Sequence, residues 1–121
     1  MGENVNFSSV DASIKITTNS GGCSASFPCY ETYKLVYMFG TNGTVFHNGD
    51  LQGNLPKAQT IELMKKTLGL YQNNICTPLF TSDATQNYEL TIDQKLYKFG
   101  NDKGCMEMQD ILNSIKTTIG V

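Results

Sequence analysis

The sequence predicts an α+β fold: a five-stranded antiparallel sheet with two helices packed on one face, in the order βββαββα. Three observations predict it. Apolar and polar residues alternate over Tyr30–Phe39 and over Tyr88–Asp93, which is the period of a half-buried strand. Apolar residues recur at helical spacing in Ile61, Met64, Leu68 and Tyr71, and again in Met108, Ile111, Leu112, Ile115 and Ile119. The succession strand, turn, strand, helix also occurs twice. Residues 30–75 and 86–119 therefore read as two ββα units within one domain over 13–121, behind a polar arm at 1–12 that is expected to be flexible. A lone hairpin is marginal in water and a helix with one apolar stripe needs a surface. Joining both hairpins and one further strand under both helices meets both needs.

Each element has its own signal. Ser13–Thr18 alternates with Ile14 and Ile16 on one face, a short strand ended by Asn19–Ser20–Gly21–Gly22. In Tyr30–Phe39, Tyr33, Leu35 and Tyr37 share a face, opposite Lys34, Val36 and Met38. Gly40–Thr41–Asn42–Gly43 is a turn signal, because Asn-Gly suits the positive φ angles of tight hairpins. Thr44–His47 returns as the partner strand, closed by Asn48–Gly49–Asp50, and 50–57 reads as irregular, with Gly53 and Pro56. A helix follows, with Thr60 as a candidate cap and Pro56 as an alternative first-turn residue. Gly69 weakens its last turn by about 1 kcal/mol relative to alanine. Tyr88–Asp93, a turn at Asp93–Gln94, Lys95–Phe99 and a helix over Cys105–Thr118 complete the chain. The outer sheet face would carry Lys34, Val36, Met38, Glu89, Thr91 and Asp93, facing solvent or a partner.

Composition excludes several function classes. The chain of 121 residues has nine lysines, no arginine, eleven acidic residues and a net charge of −2. No cationic stripe is available to neutralise phosphates, which argues against nucleic acid. No apolar run reaches the length of about 20 residues that spans a bilayer. Asn and Thr supply much of the polarity, and the apolar content is too high for a disordered chain.

Cys23, Cys29, Cys76 and Cys105 form an even set in a short, charge-poor chain, which points to disulfides and an oxidising compartment. Four cysteines allow three pairings. Position favours Cys23–Cys29, around the loop with Ser24, Phe27 and Pro28, and Cys76–Cys105, since Cys76 follows one predicted helix and Cys105 opens the other. Met1–Gly2–Glu3 reads as the remnant of a start from which a leader was removed. The sequons at Asn6 and Asn42 are compatible with export.

Two resemblances follow from these residues. The Tyr-rich strand, the Asn-Gly turn, the short strand ending in His47–Asn48–Gly49 and the helix, repeated as Tyr88–Ile92, Lys95–Phe99 and a helix, resemble a group of small exported bacterial domains of unknown function. That resemblance spans residues 13–119 and implies a fold and an exported location. Cys76–Thr77–Pro78–Leu79–Phe80, then a hairpin and Cys105–Met106–Glu107–Met108, is similar to the reactive-loop half of the Streptomyces-type subtilisin inhibitors. It implies a bridge from Cys76 to Cys105 that anchors Thr77, Pro78, Leu79 and Phe80 as an exposed loop read by a serine protease. The chain departs from that family in its first half, where Cys23 and Cys29 lie closer together and the Gly-Thr-His-Pro stretch is missing.

The catalytic candidates are few. His47 is the single histidine, so any Ser-His or Cys-His chemistry must use it, but no nucleophile signature surrounds a Ser or Cys. The cysteine gaps of 5, 46 and 28 residues lack the paired knuckles of structural zinc, and no Cys-x-x-Cys is present. Asp93 and Asp102 fall in turns, while Glu107 and Asp110 suit the positive end of a helix dipole. Tyr30, Tyr33, Tyr37, Phe39 and Phe46 concentrate on one hairpin, as core or as a binding face. The sequence therefore predicts a non-enzymatic, extracytoplasmic binding or inhibitory module without cofactor or metal. It would act on another protein through the loops Ser24–Pro28 and Thr77–Phe80. The alternatives are a small enzyme using His47 with a Cys or Ser nucleophile, and an assembly subunit pairing through an edge strand such as Ser13–Thr18.

Overall fold

The computed structural model describes residues 7, 9–19, 30–73, 75, 86–101 and 105–120. The fold is α+β, with elements in the order β1 (Ala12–Asn19), β2 (Tyr30–Tyr37), β3 (Gly43–His47), β4 (Asp50–Leu55), α1 (Lys57–Gln72), β5 (Gln86–Ile92), β6 (Lys95–Asn101) and α2 (Met106–Ile119). The strands form one six-stranded antiparallel sheet in the spatial order β4-β3-β2-β1-β5-β6.

The expected five-stranded βββαββα sheet is thus corrected to ββββαββα. The additional strand is β4, in the stretch read as irregular. Asp50–Leu55 has no β-branched or aromatic residue, and it lies at a sheet edge with a register shift opposite Val45/Phe46. Its outward positions stay polar or exposed and only Leu55 is fully buried, so it carries almost no alternation to read. The first hairpin-helix unit therefore contains three strands. The tight turn is also relocated. Asn48 (φ 50°) and Gly49 (φ 89°) supply the two positive φ values of a two-residue hairpin between β3 and β4. Asn42 has another use: its Oδ1 accepts the Lys57 backbone N–H at 3.2 Å, at the start of α1, whose N-cap is Pro56 rather than Thr60. The Ser13–Thr18 stretch, expected as an edge, lies within β1 between β2 and β5, and the true edges are β4 and β6.

Alternation places one residue of every strand except β4 in each inward-facing row. Val45, Leu35, Ile14, Leu90 and Tyr97 lie side by side across the sheet, followed by His47, Tyr33, Ile16, Tyr88 and Phe99. Both helices cover this face. Helix α1 sets Thr60 above Gly43 and ends with Tyr71 edge-on to Tyr97, at 4.9 Å between ring centroids. Helix α2 begins at Cys105 beside Tyr88 and ends with Ile119 over Gly53. The two helices thus cross the sheet in opposite senses. Leu63, Met64 and Leu68 of α1 and Met108, Ile111, Leu112 and Ile115 of α2 complete the core. Phe7, within the segment expected to be a flexible arm, is 2% exposed in that core.

Asp11 joins the two hairpins. Its Oδ1 accepts the Phe39 N–H at 3.0 Å and its carbonyl accepts the Asp93 N–H at 2.9 Å. The second contact holds the β5–β6 turn, in which Asp93 (φ 47°) and Gln94 (φ 71°) both occupy the left-handed region without a glycine. That conformation costs about 1–2 kcal/mol per residue, so an anchored turn is what the strain requires.

Two glycines predict opposite outcomes. A Cβ on Gly43 would overlap the Thr60 hydroxyl and come within 2.9 Å of Leu35, whereas one on Gly69, on α1, meets nothing within 4 Å. Gly43→Ala is expected to destabilise by about 1–3 kcal/mol, and Gly69→Ala to stabilise by about 0.5–1 kcal/mol. Urea denaturation of the two variants measures both, and equal shifts of one sign would contradict the helix-over-strand packing.

Candidate functional site

The loop residues picked from the sequence, Ser24, Phe27, Pro28, Thr77, Pro78, Leu79 and Phe80, lie outside the described residues, as do Cys23, Cys29 and Cys76. Cys105 is the one cysteine described. It is 5% exposed, precedes α2 in extended conformation and is not free.

His47 ends β3 on the helix-covered face, where its ring stacks on Tyr33 at 4.2 Å between centroids and 10° between planes. Its Nε2 lies 2.9 Å from Glu31 Oε2. Lys116 of α2 places its Nζ 5.0 Å from the centroid of the Tyr33 ring. Burial raises the Tyr33 pKa, and the Glu31 carboxylate adds to that rise. A general base needs a nucleophile within hydrogen-bond reach. Among the described residues the side chain that bonds His47 is a carboxylate, and the arrangement ties β2, β3 and α2 together at the open end of the core. No group of three or more His, Cys, Asp or Glu side chains converges among the described residues. No described helix is long and apolar enough to cross a membrane.

A second polar set lies inside. The Cys105 backbone N–H donates to the Tyr88 hydroxyl at 3.0 Å, and that hydroxyl donates to Gln86 Oε1. Gln86 Nε2 in turn reaches Thr18 Oγ1 at 3.3 Å. The chain of bonds anchors the start of α2 to β5 and β1, and it supplies a partner for a helix-end N–H that would otherwise be orphaned. Burial pushes the Tyr88 pKa up to about 12; the Cys105 N–H works against this and the Glu107 charge adds to it. Tyr37 differs. Its hydroxyl is buried with no hydrogen-bond partner among the described residues.

The opposite face of the sheet is covered by no described element. One cross-strand row runs over all six strands as Leu51, Phe46, Lys34, Lys15, Glu89 and Lys98. A groove of about 620 Å³ follows the outer side of β2, lined by Thr32, Lys34 and Val36, with Lys15 on one side and Phe46, Asn48 and Gly49 on the other. The Asn48 turn is pinned at its end: the Thr32 N–H donates to Asn48 Oδ1 and the Asn48 N–H to the Thr32 carbonyl, both at 2.8 Å. Lys15 and Lys34 stand directly opposite each other. Among the described residues neither ammonium group has a carboxylate within ion-pair distance. Sequence reasoning placed Lys34 and Val36 on this face and named Phe46 among the hairpin aromatics, as core or as a binding face, but missed Lys15 and Asn48. Alternation assigns a side chain to a face, whereas the neighbour across the ladder depends on pairing register.

No family model matches the chain, nor does any curated protein or solved structure.

The two buried tyrosines give a paired prediction. Tyr88→Phe leaves the Cys105 N–H and Gln86 Oε1 without their partner and is expected to cost about 1–3 kcal/mol at neutral pH, whereas Tyr37→Phe is expected to be neutral or stabilising. The Tyr88 contribution also depends on pH. Its folded-state pKa of about 12 lies above the ordinary 10.0, so the stabilisation is complete below pH 10, where both states hold the proton. It is lost as pH rises toward 12, because the unfolded chain ionises first, and amounts to about 2–3 kcal/mol. Urea midpoints at pH 7, 10 and 12 should show this extra alkaline loss in the parent protein and not in Tyr88→Phe.

Proposed function

We propose that this chain is a non-enzymatic binding module that acts outside the cytoplasm and takes a protein partner on the open face of its sheet. The carrying observation is the Lys15–Lys34 apposition over a groove partly floored by Val36 and Phe46. Like charges directly opposite each other weaken a sheet; Glu89, opposite Lys15 on its other side, offsets part of this for Lys15, and a ligand that supplies negative charge over Lys34 relieves the rest. Apolar side chains flanked by cations provide burial and orientation in one place. The His47 side chain is engaged by Glu31 and Tyr33, which supports a role in holding the strand ends over a role in catalysis.

The compartment belongs to the same proposal. Buried Cys105, which is not free, supports a bridge to Cys76, and that bridge would tether the Thr77–Phe80 loop. An inhibitor-like use of that loop remains part of the proposal, secondary to the sheet face, whose residues are described. The test is a lysine footprint. The protein is acetylated with a water-soluble active ester, alone and in the native extracytoplasmic fraction, and each lysine is scored by mass spectrometry. Lys15 and Lys34 are expected to be protected several-fold in the fraction, while Lys65 and Lys66, exposed on α1, stay reactive. Protection confined to Lys65 and Lys66, or absent from all four, would overturn the assignment.

A further inference from the structure

We infer that the groove along β2 binds an extended, acidic protein segment that carries a carboxylate and an apolar side chain two residues apart. This rests on the open-face reading and names its ligand. The occupant follows from charge and spacing. The chain is acidic overall, with a net charge of −2, yet the row across the open face carries three lysines against one glutamate. Two of those lysines face each other, and among the described residues neither makes an ion pair, although Glu89 neighbours Lys15 across the ladder. A carboxylate seated between Lys15 and Lys34 satisfies both.

Spacing sets the second requirement. Thr32, Lys34 and Val36 are alternate residues of one strand and span about 13 Å, the length of roughly four residues of extended chain. Lys34 and Val36 lie two residues apart, as do successive same-side side chains of a bound extended segment. An acid over Lys34, beside the half-buried Phe46, therefore brings an aliphatic or aromatic side chain over Val36, diagonal to the Phe46 ring. The pinned Asn48–Gly49 turn closes the groove at the Thr32 end and fixes the register. A nucleic acid is the other anionic occupant, and the groove suits it less. Two lysines and no arginine neutralise too few phosphates to hold a strand, and one half-buried phenylalanine is a poor stacking platform.

The test is an NMR titration of the full chain with the peptide Ser-Glu-Thr-Phe-Ser. The controls are Ser-Gln-Thr-Phe-Ser, the adjacent-order Ser-Thr-Glu-Phe-Ser and a five-nucleotide oligothymidine. Saturable shifts at Lys15, Lys34, Val36 and Phe46 are expected with the first peptide. Its Kd should rise about three-fold for each of Lys15→Gln and Lys34→Gln, the size of an exposed charge contact. Lys34 is exposed and Lys15 half-buried on the open face, and an unchanged spectrum of the core shows that neither substitution disturbs the fold. Equal binding of the glutamine or adjacent-order peptide, or tighter binding of the oligonucleotide, would overturn the ligand class. If the footprint protects Lys15 and Lys34 while the first peptide fails to bind, this inference falls and the open-face reading stands. If both fail, both fall.

Discussion

Strand β1 is hydrogen-bonded along both edges, and every other element takes its position from that fact. One edge receives β2 in full register from Ala12↔Tyr37 to Asn19↔Tyr30, and the other receives β5 from Ala12↔Ile92 to Thr18↔Gln86. With both edges filled, the two hairpins become the wings of one sheet, and Ile14 and Ile16 lie at the bottom of a core that both helices can reach. The helices share a face because only one face of β1 is apolar. Its other face carries Ser13, Lys15 and Thr17, and so leaves half the sheet without cover.

The same strand links the fold to the site. Lys15 confronts Lys34 because β1 pairs with β2, and it stands beside Glu89 because β1 also pairs with β5. On the opposite side of the sheet, Thr18 and Gln86 join the bonds that end at Tyr88 and Cys105. On the inner face Thr18, Gln86, Tyr88 and the Cys105 N–H bond one another, while on the outer face neither Lys15 nor Lys34 lies within ion-pair distance of a carboxylate among the described residues. The bonded polar groups of the core and the lysines of the open face are therefore separated by the thickness of one strand.

Much of the architecture was legible in the sequence. Alternation located β1, β2, β3, β5 and β6 within a residue or two, and apolar spacing located α1 and α2, because each buries one stripe or one face. Strand β4 was illegible for a physical reason: an edge strand that buries Leu55 and little else needs no apolar alternation. The Asn-Gly dipeptides at Asn42 and Asn48 carry the same local preference, and their partners far along the chain separate them, the first N–H of α1 for Asn42 and the Thr32 backbone for Asn48. For the site, Lys34 and Val36 were visible as outward residues. The Lys15–Lys34 apposition was not, since ladder neighbours are a property of pairing between strands far apart in sequence. Central placement of β1 was hidden likewise, because nothing in an isolated alternating strand says how many partners it will have.

Chain order gives the central strand a consequence for how the molecule is assembled. Its contact with β2 is local, but 68 residues separate Thr18 from Gln86 on the far edge. Loop closure of that size comes late and raises the contact order, which slows folding. During synthesis β1 and β2 can pair soon after they emerge, leaving a row of backbone donors and acceptors beside Ile14 and Ile16 unpaired until β5 follows. An edge that the finished protein does not possess therefore exists until β5 emerges, and it is apolar on one face and without proline. That interval, rather than the native surface, is where the chain is most open to pairing with the wrong strand.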